Sequence, residues 1–139
     1  MNMSVRESLT RCKEQWLIIA WLSAVGGIKH PSQSNIKDAS LLEMEAPLDL
    51  DNRCFLCQYV TEIQASYQDR GIDTPEDCCG AFCPLKGLWS DNPKYNETCM
   101  EGDSNTPDTY YRLWCKHLDS DSAMKVVAAC DRALEALGK

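Results

Sequence analysis

Nine cysteines in 139 residues constrain this chain more than any other feature, because thiols at that density need a partner: another thiol, a metal ion or a dry core. Most of them fall in one block, which reads Cys54-Phe-Leu-Cys57, then Cys78-Cys79-Gly-Ala-Phe-Cys83-Pro84, then Cys99. A Cys-x-x-Cys pair lets two thiolates converge on one ion while backbone amides point at the sulfurs, and a tetrahedral structural zinc needs four such ligands. Cys54 and Cys57 supply one pair and Cys83 a third ligand. The fourth position stays open between Cys79, Cys99 and Cys78, because the spacing to Cys83 is x3 from Cys79 and x4 from Cys78. Cys115-Lys-His117 is a more distant candidate. Zinc is the leading cofactor, and an iron–sulfur cluster would draw on the same thiolates.

Disulfides are the competing use of so many cysteines, and they require an oxidising compartment. Trp16 to Ile28 is the one segment resembling a signal-peptide core, and Asn96-Glu97-Thr98 would then be a glycosylation sequon. Glu7 and Glu14 sit where that signal should be positive, and no A-x-A site follows. The stretch is also too short to span a membrane. The expected location is the cytoplasm, with reduced or metal-bound cysteines and no membrane contact. The net charge of −7, from 14 basic and 21 acidic residues, disfavours nucleic acid as a direct ligand, since that affinity comes from Lys and Arg at phosphates.

Helical periodicity flanks the block. Ser4-Val-Arg-Glu7 is a capping box, and Val5, Leu9, Cys12, Trp16, Ile19 and Ser23 recur at alternating steps of four and three until Gly26-Gly27. Leu17, Ile18, Trp21 and Leu22 widen the apolar surface, so the second half of this helix is expected either to be buried or to press on a partner. Residues 28–51 read as an acidic connector, with one helical turn at Ser40 to Glu45. A second helix is expected from about Cys54 to Asp69, with Cys57, Val60, Ile63 or Gln64, and Tyr67 on one face. A single turn is expected before Cys78, and Gly80 to Asn105 reads as loop. So long a loop is unusual in a compact domain unless something holds it, which argues for a metal. Thr106-Pro107-Asp108 signals a helix start before Tyr110, Tyr111, Leu113 and Trp114. Ala123, Val127, Cys130, Leu134 and Leu137 mark a closing amphipathic helix. Cys12, Cys115 and Cys130 are expected in the core. No period-two strand pattern of useful length appears.

The expectation is a mainly α, small helical domain of about four helices, with a long loop fastened by a cysteine-bound metal. It is one domain over 1–139: an N-terminal helix (1–27), the acidic connector (28–51), a cysteine block (52–105) and C-terminal helices (106–139).

In order along the chain, Glu14-Gln-Trp16, Cys54-Phe-Leu56-Cys57, Cys79-Gly-Ala-Phe-Cys83-Pro84-Leu85, Cys99, Thr106-Pro107-Asp-Thr-Tyr110 and the helix from Ala123 to Leu137 resemble small bacteriophage proteins with a Cys-x-Leu-Cys, Cys-x-x-Cys-Pro, Cys and Thr-Pro-x-Tyr pattern. The chain departs from that pattern at Cys79-x3-Cys83, which carries one extra residue and the neighbouring Cys78. The resemblance implies a phage origin and a metal held by cysteines, and it implies no particular activity.

Catalytic machinery is not indicated. His30 and His117 stand alone in sequence, and no Ser-His-Asp set, phosphate-cradling Gly loop or HExxH motif is present. The leading function is a non-catalytic interaction protein that binds and inhibits or redirects a host or phage protein, with Trp16, Trp21 and Leu22 as candidate contacts. The alternatives are a zinc-containing nucleic-acid-binding regulator and an iron–sulfur or thiol redox protein. The βαβ context expected around a redox Cys-x-x-Cys is missing.

Overall fold

The computed structural model describes residues 3–26, 31–76, 78–101 and 108–138. Six α-helices are present among them: α1 (Val5–Val25), α2 (Gln33–Glu43), α3 (Phe55–Asp69), α4 (Cys78–Phe82), α5 (Tyr110–His117) and α6 (Ser120–Leu137), with a 3₁₀ turn at Asp51–Arg53 and no strand. The mainly helical class is as the sequence indicates, while the helix count exceeds the expected four. His30, Thr106 and Pro107 lie outside the described residues.

The helix ends follow local chemistry. The Glu7 amide donates to Ser4 Oγ at 3.0 Å to open α1, and Gly26 closes it in the left-handed conformation at φ 63°. Ser32 caps α2, Thr109 caps α5 and Asp119 caps α6, each accepting from an amide three residues on. The cap of α5 is therefore Thr109, next to its first residue. The connector expected over 28–51 contains all of α2, well beyond a single turn at Ser40.

One core runs along α1, which packs most extensively on α6 and also meets α2 and α3. Its buried face is Ser8, Leu9, Cys12, Gln15, Trp16, Ile19, Ala20 and Leu22, close to the four-and-three stripe of the sequence. Trp16 crosses Trp114 edge-on at 5.0 Å between ring centroids and Tyr111 at 5.9 Å. Trp114 is wholly buried and donates through Nε1 to Ser23 Oγ at 3.2 Å. On α3 the buried residues are Phe55, Leu56 and Val60; of the expected face only Val60 is fully buried, because the helix is anchored by its first turn.

The segment after α4 is irregular but supported. Leu85 and Trp89 are buried, the Gly87 amide donates to the Asn96 carbonyl at 2.9 Å, and the Tyr110 amide donates to the Trp89 carbonyl at 2.9 Å. Ordinary packing and hydrogen bonds thus hold much of this loop, whose length in sequence argues for a metal. Among the described residues, no helix is long and apolar enough to cross a membrane.

Candidate cysteine cavity

The chain reaches Cys54 through two consecutive left-handed residues, Asn52 and Arg53, both at φ 51°. That conformation is unfavourable for residues with a side chain, and two buried side chains hold it in place. Gln15 Nε2 donates to the Arg53 carbonyl at 2.9 Å, and Lys37 Nζ donates to the Asn52 carbonyl at 3.1 Å. Ser40 links the two, accepting from Gln15 Nε2 at 3.2 Å and donating to the Lys37 carbonyl at 2.6 Å. The result places Cys54 at the N-cap of α3 and Cys57 in its first turn.

The two thiols meet there. The hydrogen bond from Cys57 brings the Cys54 thiol down to about 6, with help from the Lys37 charge and the amides of Leu56 and Cys57, against the opposing effect of burial. The same shared proton, together with burial, pushes the Cys57 thiol up, while the Asn52 side chain pulls the other way.

Cys54 and Cys57 line a cavity of about 410 Å³ together with Cys99, Cys115, Trp16, Trp89, Tyr111 and Lys37. Cys99 arrives from the irregular segment, and the buried Thr109 hydroxyl donates to its carbonyl while capping α5. Burial, reinforced by the nearby Cys54, Cys83 and Cys79, pushes the Cys99 thiol up to about 12. Cys83 sits within electrostatic reach of Cys54. Burial pushes its thiol up to about 11, tempered by the Leu85 amide and the Trp89 indole. Cys115 is raised by burial and eased by the Tyr111 hydroxyl and Lys37.

All nine cysteines carry thiols, not disulfides. The structure brings Cys54 and Cys57 into contact, sets Cys99 on the same cavity and Cys83 close to Cys54. Cys79 is exposed, and Cys78 donates to the Pro75 carbonyl at 3.2 Å. Cys115, expected in the core, faces the cavity from α5, four residues after Tyr111 and on the same side of the helix. Cys12 and Cys130 are core residues as expected. His117 is exposed at the end of α5.

Whether these residues suit a metal has two answers. The donor chemistry fits: thiols gather from separate segments and accept N–H groups. The buried Trp89 Nε1 has no hydrogen-bond partner of ordinary geometry, and the acceptor whose ionisation it favours is the Cys83 sulfur. The spacing does not yet fit, for no group of three or more Cys, His, Asp or Glu among the described residues is arranged to hold an ion.

Two of the candidate partner contacts are corrected. Trp16 is 2% exposed and Leu22 8%, so both belong to the core and neither presents a surface. Trp21 is 60% exposed, and with Leu17 and Val25 it forms an outward stripe at steps of four along α1. Sequence reasoning missed Lys37 altogether, because it lies on a helix that the apolar pattern did not reveal.

Compared with protein-family models, curated proteins and solved structures, the chain matches none of them.

Proposed function

We propose that the protein is a non-catalytic interaction module in which Cys54, Cys57, Cys99 and Cys83 hold a structural metal. The metal is zinc in the first place, with an iron–sulfur cluster as the alternative. The observation that carries the reading is the meeting of thiols from α3 and the irregular segment around one cavity that also contains a buried cation. Binding would draw Cys99 and Cys83 onto the Cys54–Cys57 pair, and metal-binding free energy would then add to folding free energy. The ion supplies a cross-link and no reaction step. Around it the chain's own groups act: Leu56, Cys57 and Leu85 amides donate to thiolates, Asn52 orients Cys57, and Thr109 holds the Cys99 backbone.

The contact for a protein partner is the stripe Leu17, Trp21 and Val25. If the chain is phage-encoded, as the resemblance implies, that partner is a host protein to be inhibited or redirected. The net charge of −7 supports a protein over a nucleic acid.

Elemental analysis with a visible spectrum of the reduced, purified protein tests the metal. One zinc per chain without colour supports zinc, a brown sample with iron and sulfide supports the cluster, and neither metal refutes the fastener. Capture of a stoichiometric partner by the wild type that Trp21→Glu abolishes tests the interaction. Equal capture by both proteins would remove the stripe from the proposal.

A further inference from the structure

We propose that the cysteine cavity binds a small aromatic monocarboxylate, its anionic end on the Lys37 ammonium and its ring against Trp16, Trp89 and Tyr111. The inference goes beyond the metal reading and does not rest on it, because its contacts are an ammonium and three aromatic rings and not the sulfurs.

Lys37 is 7% exposed, which is rare for a lysine without a carboxylate beside it. Its Nζ donates to the Asn52 carbonyl at 3.1 Å and to the Tyr111 hydroxyl at 2.6 Å, and both acceptors belong to residues that line the cavity with it. An ammonium carries three N–H donors, so one is left for an occupant. Burial raises the Tyr111 hydroxyl well above its ordinary value, so both acceptors are neutral. No Asp or Glu is among the described residues lining the cavity, and no ion pair among the described residues includes Lys37. Arg53, the other cation of the lining, is held by Asp38 at 2.5 Å. The Cys54 sulfur takes hydrogen bonds from Cys57 and from the amides of Cys57 and Leu56, and none from Lys37. A buried ammonium that meets only neutral acceptors keeps an unmet desolvation cost, which an arriving anion offsets.

The rest of the lining selects what carries that anion. The cavity holds about 410 Å³, within the range of small-molecule sites, and its walls include the rings of Trp16, Trp89 and Tyr111 and the side chain of Met100. Trp16 and Trp89 are buried, so the core fixes these walls before any ligand arrives. Flat apolar walls with one cationic end suit an aromatic body bearing one negative charge. A phosphate would bring a second charge with no second free cation to meet it.

A purely structural role is the competing account, since the same ammonium holds the left-handed Asn52–Arg53 approach to Cys54. The probes are naphthoate, the uncharged naphthamide and acetate, titrated into the full reduced chain as purified and into a sample stripped of metal and desalted. Calorimetry reads affinity, and the indole N–H resonances of isotope-labelled protein locate the site. Naphthoate should saturate both samples below about 1 mM, the weak end of the affinity scale. It should shift the resonances of Trp16 and Trp89 and leave that of the exposed Trp21 in place. Naphthamide should bind about 10–100-fold more weakly, the usual worth of a hydrogen bond to a charged group. Acetate should be weaker than naphthoate by at least about 10-fold, because it has no ring to bury. In Lys37→Gln, which keeps a donor for the Asn52 carbonyl, the preference for acid over amide should fall to within about threefold while the amide binds as before. If Lys37→Gln does not fold, the three probes on the wild type decide. No saturable binding of naphthoate, equal affinity for naphthoate and naphthamide, or a preference unchanged in Lys37→Gln would overturn the inference. So would binding seen only before the metal is removed, since the carboxylate would then sit on the ion. A chain free of zinc and iron would remove the metal reading and leave this one standing.

Discussion

The thiols of Cys12 on α1 and Cys130 on α6 meet by hydrogen bond in the centre of the core, and neither side chain has exposed surface. The pair marks where the two longest helices cross, one residue from the surface ion pair of Lys13 Nζ and Asp131 Oδ1 at 2.7 Å. The hydrogen bond with Cys130, together with burial, raises the Cys12 thiol well above its ordinary range, so it is both inaccessible and protonated.

This predicts a graded reactivity. With an alkylating reagent at about pH 8, near the usual thiol range, the exposed Cys79 should be labelled first. Cys12 and Cys130 should react only through global unfolding, slower by a factor of about 10³ or more for a protein of ordinary stability. Mass spectrometry of peptides over time reads both rates. Labelling of Cys12 alongside Cys79 would show that α1 and α6 separate in the folded state.

The tryptophans divide just as sharply. Trp114 has no exposed surface, stacks near Tyr111 at 6.2 Å and meets Trp16 edge-on. Trp114→Ala should cost about 3–5 kcal/mol, enough to leave a typical small domain largely unfolded. Trp21→Ala, at an exposed position, should change stability by no more than about 0.5 kcal/mol. Urea denaturation of both variants checks the contrast, and a large loss from Trp21→Ala would mean that its stripe is covered by another copy of the chain.

How far these features were legible follows from their chemistry. Ser4, Glu7 and Gly26 are local signals, and they placed α1 correctly. The buried face of α2 is Ile36, Lys37, Ser40 and Leu41, half of it polar, so in sequence it shows no apolar period and looks like a connector. Trp16, Trp21 and Leu22 all look alike in sequence. Only the packing of α1 against α6 and α5 decides that Trp16 and Leu22 turn inward. The Cys54–Cys57 pair was legible because its spacing is local. The approach of Cys99 depends on a hydroxyl ten residues away, at Thr109, which no short pattern encodes. In sequence Cys115 looks like a core residue, because a four-residue offset from Tyr111 suits a core face and a cavity face equally well.

The thiols also predict a stability profile for the metal-free protein. Cys54, lowered to about 6 by its bond from Cys57, is ionised in the folded chain at pH values where the unfolded chain keeps its proton. Stability should therefore rise from about pH 6 towards the ordinary thiol value of about 8.5. Cys83 and Cys99 are raised to about 11 and about 12, so above that value the unfolded chain loses protons that the folded chain retains, and stability should fall. Cys57 is raised and acts in the same falling limb. Urea titrations with a chelator between about pH 6 and 10 test this, and Cys54→Ser should flatten the rising limb. A wild-type stability that declines across the lower half of that range would refute the assignment of Cys54 as the ionised member.

Thr109 joins the α5 helix to the cysteine cavity, and its replacement should expose that link. Its side chain accepts from the Arg112 amide at 3.2 Å and donates to the Cys99 carbonyl, and the residue is wholly buried. Thr109→Val keeps the shape but removes both bonds. Loss of the cap alone costs about 0.5–2 kcal/mol, and the Cys99 carbonyl is left without its donor. Thr109→Ser restores the hydroxyl and should recover most of that stability. If Cys99 is a metal ligand, Thr109→Val should weaken zinc binding as well, since the thiol then has to be ordered at the moment of binding. Hydrogen exchange should locate the damage: faster exchange over residues 96–101 and the first turn of α5, with α1 and α6 unchanged. Uniform acceleration across α1 and α6 would mean that Thr109 supports the whole core and is not a local tie between α5 and Cys99.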